Sequence, residues 1–357
     1  MPVLAGERIF TVAGTSYAWE DLVLAGCLWG DWAALEARVQ AGLACLARLD
    51  DLEEGDEDAL DEADVEAAAA EFRYARDLVA AADLEAWLER RGLSVDAWLD
   101  FIRRSLLLDR WADDLDEIRE EYELDEDEVT EAVVCEALCS GLANDLAQRL
   151  AARAAVHARP AGETDAATGA PSADESPAIP DDELLERAVP DLPEPARRER
   201  LARLTTLESA WRRFAASVAP PQSVRAAIGA RRLEWVRVAV RAVVAPDEDV
   251  AREIALCVRM DRRPVDEVAD EAGLRAETLE WWLDAVEEPL HDTLIGAQPG
   301  DVVGPIPWKE QHLVLTVTAK RLPSEDDPAV RARAEQALLA RAVDREVADR
   351  VTWHATL

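Results

Sequence analysis

The sequence predicts an α+β protein: a mostly helical N-terminal domain, a small α/β module, and a C-terminal helix and strand that return to the N-terminal strand. Three observations predict it. Apolar residues recur at helical spacing through the first 158 residues. A stretch rich in Pro, Gly, Ser, Thr and Ala at 159–180 has no apolar period and reads as a flexible linker. Beyond residue 233, alternating segments interleave with short helical ones. The expected boundaries are therefore 1–158 for the helical domain, 159–180 for the linker, 181–232 for a helical connector, 233–323 for the α/β module, and 324–357 for a C-terminal helix and strand packing on the N-terminal domain.

The elements follow in chain order. Arg8–Gly14, "RIFTVAG", has the β-branched content of a short strand. Ser16 is the predicted N-cap of the helix that follows, with Trp19 and Glu20 in its first turns. Asp50 to Asp64 is an acidic stretch without the alternating order of a calcium loop, and it reads as a solvated loop. Further helices are predicted over "ADVEAAAAEFRYARDL" and "ADLEAWLERRGL", the second stopped near Gly92. Ser94 caps the next, whose apolar face holds Trp98, Phe101, Ile102, Leu106 and Leu108. A long helix then breaks at Gly141. Helices resume at Asp181 and stop at Pro220-Pro221. Leu233–Val244, "LEWVRVAVRAVV", alternates most strongly and is the best strand of the chain. Two short helices follow, and the segment "AETLEWWLDAVEEPLHDTLIGA" reads as mostly helical. "PGDVVGPIPWKEQ" reads as two turns around a Gly-Pro step, leading into a strand at Leu313–Thr318. A last helix precedes the terminal strand "RVTWHAT". The terminal strands are each too short to stand alone, so they are expected to pair with each other.

Composition narrows function. Acidic residues outnumber basic ones 75 to 39 in 357 residues, for a formal charge of −36. That excess repels phosphates and argues against nucleic acid, and it favours clients with basic segments. No run of roughly eighteen apolar residues exists to span a membrane. The N-terminus lacks a signal-peptide pattern, so a cytoplasmic location is expected. Five cysteines at irregular spacing suggest reduced thiols. Cys135 and Cys139 share a helix face, and His291 and His312 could meet, but two ligands make no metal site. No phosphate-binding glycine loop follows a strand, so no cofactor is expected.

The segment from Leu233 to Arg321 resembles a parvulin-type (PpiC) peptidyl-prolyl isomerase domain. "VDEVA" (Val265–Ala269) matches that family's "FAELA", and "LEW" (Leu279–Trp281) its "LGW". "AQPGDVVGPI" (Ala297–Ile306) matches "L.PGEVS.PV", and "EQHLVLTV" (Glu310–Val317) matches "GYHIIKV". The order of elements along the whole chain resembles the SurA-like chaperone layout, in which the terminal strands come together.

The resemblance implies a site that grips proline in an apolar cleft above a polar network and twists the X-Pro amide, whose barrier is about 18–20 kcal/mol. His312 falls on the histidine of the family's last strand and is the candidate catalytic residue. Arg241 stands where the family carries its first histidine, and Gly273 where a serine is frequent. The double glycine before "LGW" is replaced by "AET". Both polar losses predict low isomerase turnover. The candidate peptide-binding residues are Trp281, Trp282, Met260, Leu290, Leu294 and Arg241, of the aromatic, aliphatic and methionine types that suit extended peptides. Their competing role is the core of a small module. The expected function is a chaperone-like protein with a degenerate parvulin domain that binds a peptide or unfolded client. The missing export signal and the chain's size also resemble accessory proteins that present a ribosomal precursor peptide to its modifying enzymes. An active isomerase and a scaffold that only bridges enzymes are the alternatives.

Overall fold

The computed structural model describes residues 6–52, 59–160, 180–309, 311–355 and 357. Most of the predicted linker (161–179) and the middle of the acidic stretch (53–58) lie outside the described residues. The architecture is α+β, with helices predominating and two small antiparallel sheets. The chain divides into one unit of Met1–Ser217 with Val343–Leu357, and a second of Val218–Ala342.

In the first unit, β1 (Arg8–Val12) turns into β2 (Thr15–Ala18). Ser16 therefore lies in a strand and caps no helix. The helix α1 (Trp19–Trp29) starts three residues later, where the Asp21 carboxylate accepts the Ala18 N–H at 2.9 Å. The hairpin is favoured because Ala13 and Gly14 both take left-handed backbone angles. The C-terminal strand, β7 (Val351–Trp353), pairs with the other edge of β1, with Phe10 opposite Trp353 and Val12 opposite Val351. This is the pairing of termini that the sequence predicts. Phe10 is fully buried between Tyr17 and Trp353, with ring centroids 4.7 and 5.3 Å away.

Among the described residues, further helices of this unit are α2 (Asp31–Asp51), α3 (Glu62–Ala75), α4 (Ala81–Arg91), α5 (Val95–Arg110), α6 (Leu115–Glu121), α7 (Glu126–Cys139), α8 (Leu142–His157), α9 (Asp182–Ala188) and α10 (Glu194–Val218). Ser94 caps α5 as predicted, its Oγ accepting the Ala97 N–H at 3.0 Å. Gly141, at φ 87°, separates α7 from α8, a conformation that only glycine adopts freely. Phe72, Trp87, Trp98 and Phe101 form an aromatic core between α3, α4 and α5. Buried charges staple the helices. Glu136 on α7, 2% exposed, takes Arg104 of α5 at 3.3 Å and Arg38 of α2 at 3.2 Å. All five cysteines carry free thiols, and the buried Cys135 and Cys139 sulfurs lie 3.8 Å apart.

The second unit is built on a four-stranded antiparallel sheet. After α11 (Pro221–Ala230) come β3 (Arg237–Ala245), α12 (Glu248–Met260), α13 (Val265–Glu271), β4 (Ala276–Trp282), a 3-10 turn at Leu283–Ala285, α14 (Leu290–Gly296), β5 (Val302–Trp308), β6 (Gln311–Arg321) and the start of α15 (Pro328–Arg350). The strand order is β4-β3-β6-β5. Two expectations are corrected here. Ala276–Trp282 is an edge strand and not helix: despite its helix-forming Ala, Leu and Glu, it satisfies its backbone groups along β3. Val302–Trp308 is also a strand and not a pair of turns. It tolerates Pro305 and Pro307 because it lies at the sheet edge, with one side unpaired.

Successive residues of these strands face opposite ways. Val238, Val240, Ala242, Leu313, Leu315 and Val317 point to one face and pack on Leu290 and Leu294 of α14. Val243, Ala245 and Val314 point to the other, under Ile254 and Val258 of α12 and Val268 of α13. A further cluster joins Trp235, 1% exposed, with Val224 and Ile228 of α11 and Val330 and Ala334 of α15. Among the described residues, no helix is long and apolar enough to cross a membrane.

Candidate functional site

The second unit carries an open cleft of about 870 Å³. Its floor is the polar part of the central strands. Arg241 of β3 and Thr316 of β6 are cross-strand partners, and Thr318 is the extra residue of a bulge between Ala319 and Val317. A bulge re-aims side chains, and Thr318 lines the cleft. One wall is the end of α12 and the start of α13, from Val258 to Asp266. The opposite wall runs from Thr293 and Gly296 of α14 to Val303 of β5.

Four arginines line the cleft, Arg241, Arg259, Arg262 and Arg263, against two carboxylates, Asp266 and Asp301. Their electrostatic states differ. Arg241 donates from Nε to Asp266 Oδ1 at 2.8 Å, contacts it again through Nη2, and reaches Thr278 Oγ1 at 2.7 Å. This side-chain hydrogen bond holds the Asp266 carboxyl below the usual carboxylate range and raises Arg241. The folded-state pKa of Asp266 is thus below its unfolded value. The pairing is fully in force above the ordinary carboxylate pKa and is lost as pH falls through the lowered one. Arg263 forks onto Glu271, with one contact at 2.8 Å, and likewise lowers that carboxyl. Among the described residues, Arg259 meets only carbonyl oxygens, of Val302 at 3.1 Å and Gly304 at 3.2 Å. Arg262 is exposed and has no carboxylate partner among the described residues. Among the described residues, Arg259 and Arg262 thus have no carboxylate partner, while the cleft's remaining carboxylate, Asp301, accepts the Gln298 N–H.

The structure does not gather the sequence-predicted residues into one site. Trp281 faces the side of the sheet that packs on α14, 6.2 Å from Trp308. Its neighbour Trp282 faces the opposite side, against the Trp235 cluster and under the Arg333 guanidinium at 4.6 Å. Leu290 and Leu294 are 2% and 0% exposed and belong to the core. Met260, at the end of α12, is largely exposed and does not line the cleft. His312 sits at the start of β6 opposite Ala245, whereas Arg241 is opposite Thr316. The two are four residue pairs apart, about 13 Å along the strands, and His312 Nδ1 is buried without a hydrogen-bond partner among the described residues. Of the predicted residues, only Arg241 lines the cleft. His291, on α14, lies 3.3 Å from the Glu288 carboxylate at the surface.

Sequence reasoning missed Arg259, Arg262 and Arg263. A signal was present: "RMDRRP" is a local reversal of sign in a strongly acidic chain. Thr318 was not legible, because a bulge is a property of the pairing.

No family model matches the sequence, and no curated protein matches it. The crystal structure of PrsA from Bacillus subtilis is similar over 61% of this chain and 86% of that one, at 12% identity and a TM-score of 0.23. A likeness of that size fixes neither the family nor the activity.

Proposed function

We propose that this chain is a peptide-binding, chaperone-like protein whose second unit is a degenerate parvulin-like module, holding a client without rapid isomerisation. The cleft carries the reading: a sheet-floored groove with hydroxyls, guanidinium groups and aliphatic walls offers both hydrogen bonds and apolar contact to an extended chain. The separation of Arg241 from His312 leaves no paired polar network at a twisted amide, which supports binding over catalysis. The finer reading, in keeping with the sequence resemblance, is that the client is a precursor peptide or unfolded segment presented to modifying enzymes in the cytoplasm.

The test fills the cleft from a position that tolerates it. Gly296 ends α14 and is exposed, and a Cβ there would meet nothing within 4 Å. Gly296→Phe should therefore fold normally while its ring occupies the groove. Against a panel of short labelled peptides of neutral, acidic and basic composition, the wild type should bind at least one. The variant should bind it about tenfold more weakly or worse, since blocking an interface centre typically costs about 2 kcal/mol or more. Equal affinity in a folded variant would place the peptide elsewhere. Efficient X-Pro turnover abolished by His312→Ala would favour the isomerase instead.

A further inference from the structure

We infer that the cleft selects acidic peptide segments, reading a client's Asp or Glu side chains through Arg262 and Arg259; this inference rests on the peptide-binding reading. The chain's net charge points the other way, since −36 favours basic clients at long range. Local charge decides at contact distance, because exposed charges beyond about 8–10 Å are screened at physiological salt. Within the cleft, Arg241 and Arg263 already have carboxylate partners, Asp266 and Glu271. Among the described residues, Arg259 is tied only to the carbonyl oxygens of Val302 and Gly304, and Arg262 has no carboxylate. An incoming carboxylate would therefore meet two guanidinium groups that hold no carboxylate among the described residues, without displacing an existing ion pair, although Asp301 shares the cleft.

The backbone at Arg262 is strained. This residue follows the C-cap of α12 in the left-handed conformation, φ 56°. That position favours glycine, because a Cβ is strained there. An arginine held in that conformation carries a local backbone strain, as Asp77 and Lys309 do at the same φ. The aliphatic walls, Val258, Pro264, Val265 and Val303, suit the hydrocarbon part of a peptide, and the guanidinium planes can take a carboxylate through two parallel hydrogen bonds.

That strain supplies the test. Arg262→Gly removes the guanidinium while relieving the backbone, so it should fold at least as stably as wild type. Fluorescence anisotropy with the full chain would compare a labelled peptide carrying Asp residues with its Asn and Lys analogues. The inference predicts binding of the Asp peptide, affinity about tenfold or more lower for the Asn peptide, and weaker still for the Lys peptide. Arg262→Gly should lower affinity for the Asp peptide about tenfold, with an unchanged or higher Tm, and leave the Asn peptide unaffected. Raising the salt should weaken the Asp peptide most. Equal binding of Asp and Asn peptides, or an Arg262→Gly variant that binds the Asp peptide like wild type, overturns the inference while leaving the peptide-binding reading intact. Binding of none of the three overturns both.

Discussion

Asp21→Ala should destabilise the first unit by about 2–3 kcal/mol, a large part of a domain's stability. Asp21 is 1% exposed, yet three donors converge on it: the Ala18 N–H at 2.9 Å, Arg200 Nη1 at 2.9 Å and Arg203 Nη2 at 2.5 Å. It closes the N-terminus of α1, where an anion also meets the helix dipole, and it ties α1 to α10. Removing it leaves a part-buried N–H unmatched and takes the nearest carboxylate from two guanidinium groups, of which Arg200 keeps only Glu20, at 3.8 Å, among the described residues. Both arginine side chains keep partial contact with water, at 27% and 35% exposed, so the cost is below that of a fully buried broken pair. Urea unfolding followed by circular dichroism would show the loss as a lower midpoint. A shift equivalent to under about 0.5 kcal/mol, the range of ordinary surface substitutions, would mean that the cluster is only incidental.

In the second unit, Gly304→Ala is expected to cost about 2–4 kcal/mol, through strain and a steric clash. Gly304 has φ 118°, outside the regions open to residues with a Cβ. A Cβ there would lie 2.5 Å from the Leu313 carbonyl oxygen and 3.1 Å from the Val314 Cα, both backbone atoms of β6 that cannot swing aside. Relief requires β5 to lift from its neighbour. That motion would also carry away the carbonyl oxygens of Val302 and Gly304 that hold Arg259, so the cleft should open as the hairpin loosens. Thermal unfolding should show a lower Tm, and limited proteolysis should cut between Val302 and Arg321. A variant with unchanged Tm would show that the hairpin adapts more freely than its geometry implies.

How far the sequence reaches depends on which period a segment carries. The paired termini were legible because "RIFTV" and "RVTW" are short and β-branched and need partners for their backbones. Ser94 and Gly141 were legible because caps and left-handed breaks have residue-specific chemistry. "AETLEWW" misled because its residues are helix formers, and its strand conformation is imposed by the open edge of β3. That strand conformation also separated the two tryptophans of the predicted site. Adjacent tryptophans on a helix lie 100° apart and can share a groove, whereas on a strand they face opposite sides. Trp281 and Trp282 therefore serve two different cores. The prolines of β5 signalled turns, and only its place at the sheet edge reconciles them with a strand. Gly42 shows what no local pattern reveals: a Cβ there would sit 2.9 Å from the Arg104 side chain, so the glycine makes room for the buried ion pair with Glu136.

Backbone amide hydrogen exchange on the full chain, with and without a saturating peptide from the panel, tests the central claim most directly. Each amide reports its own opening, so the occupied surface identifies itself. The account predicts new protection at the cleft walls, from Arg259 to Asp266 and from Gly296 to Val303, with little change at Trp281, Leu290 and Leu294, which already lie in or against the core. Protection confined to the helices of the first unit, with the cleft unchanged, would contradict it.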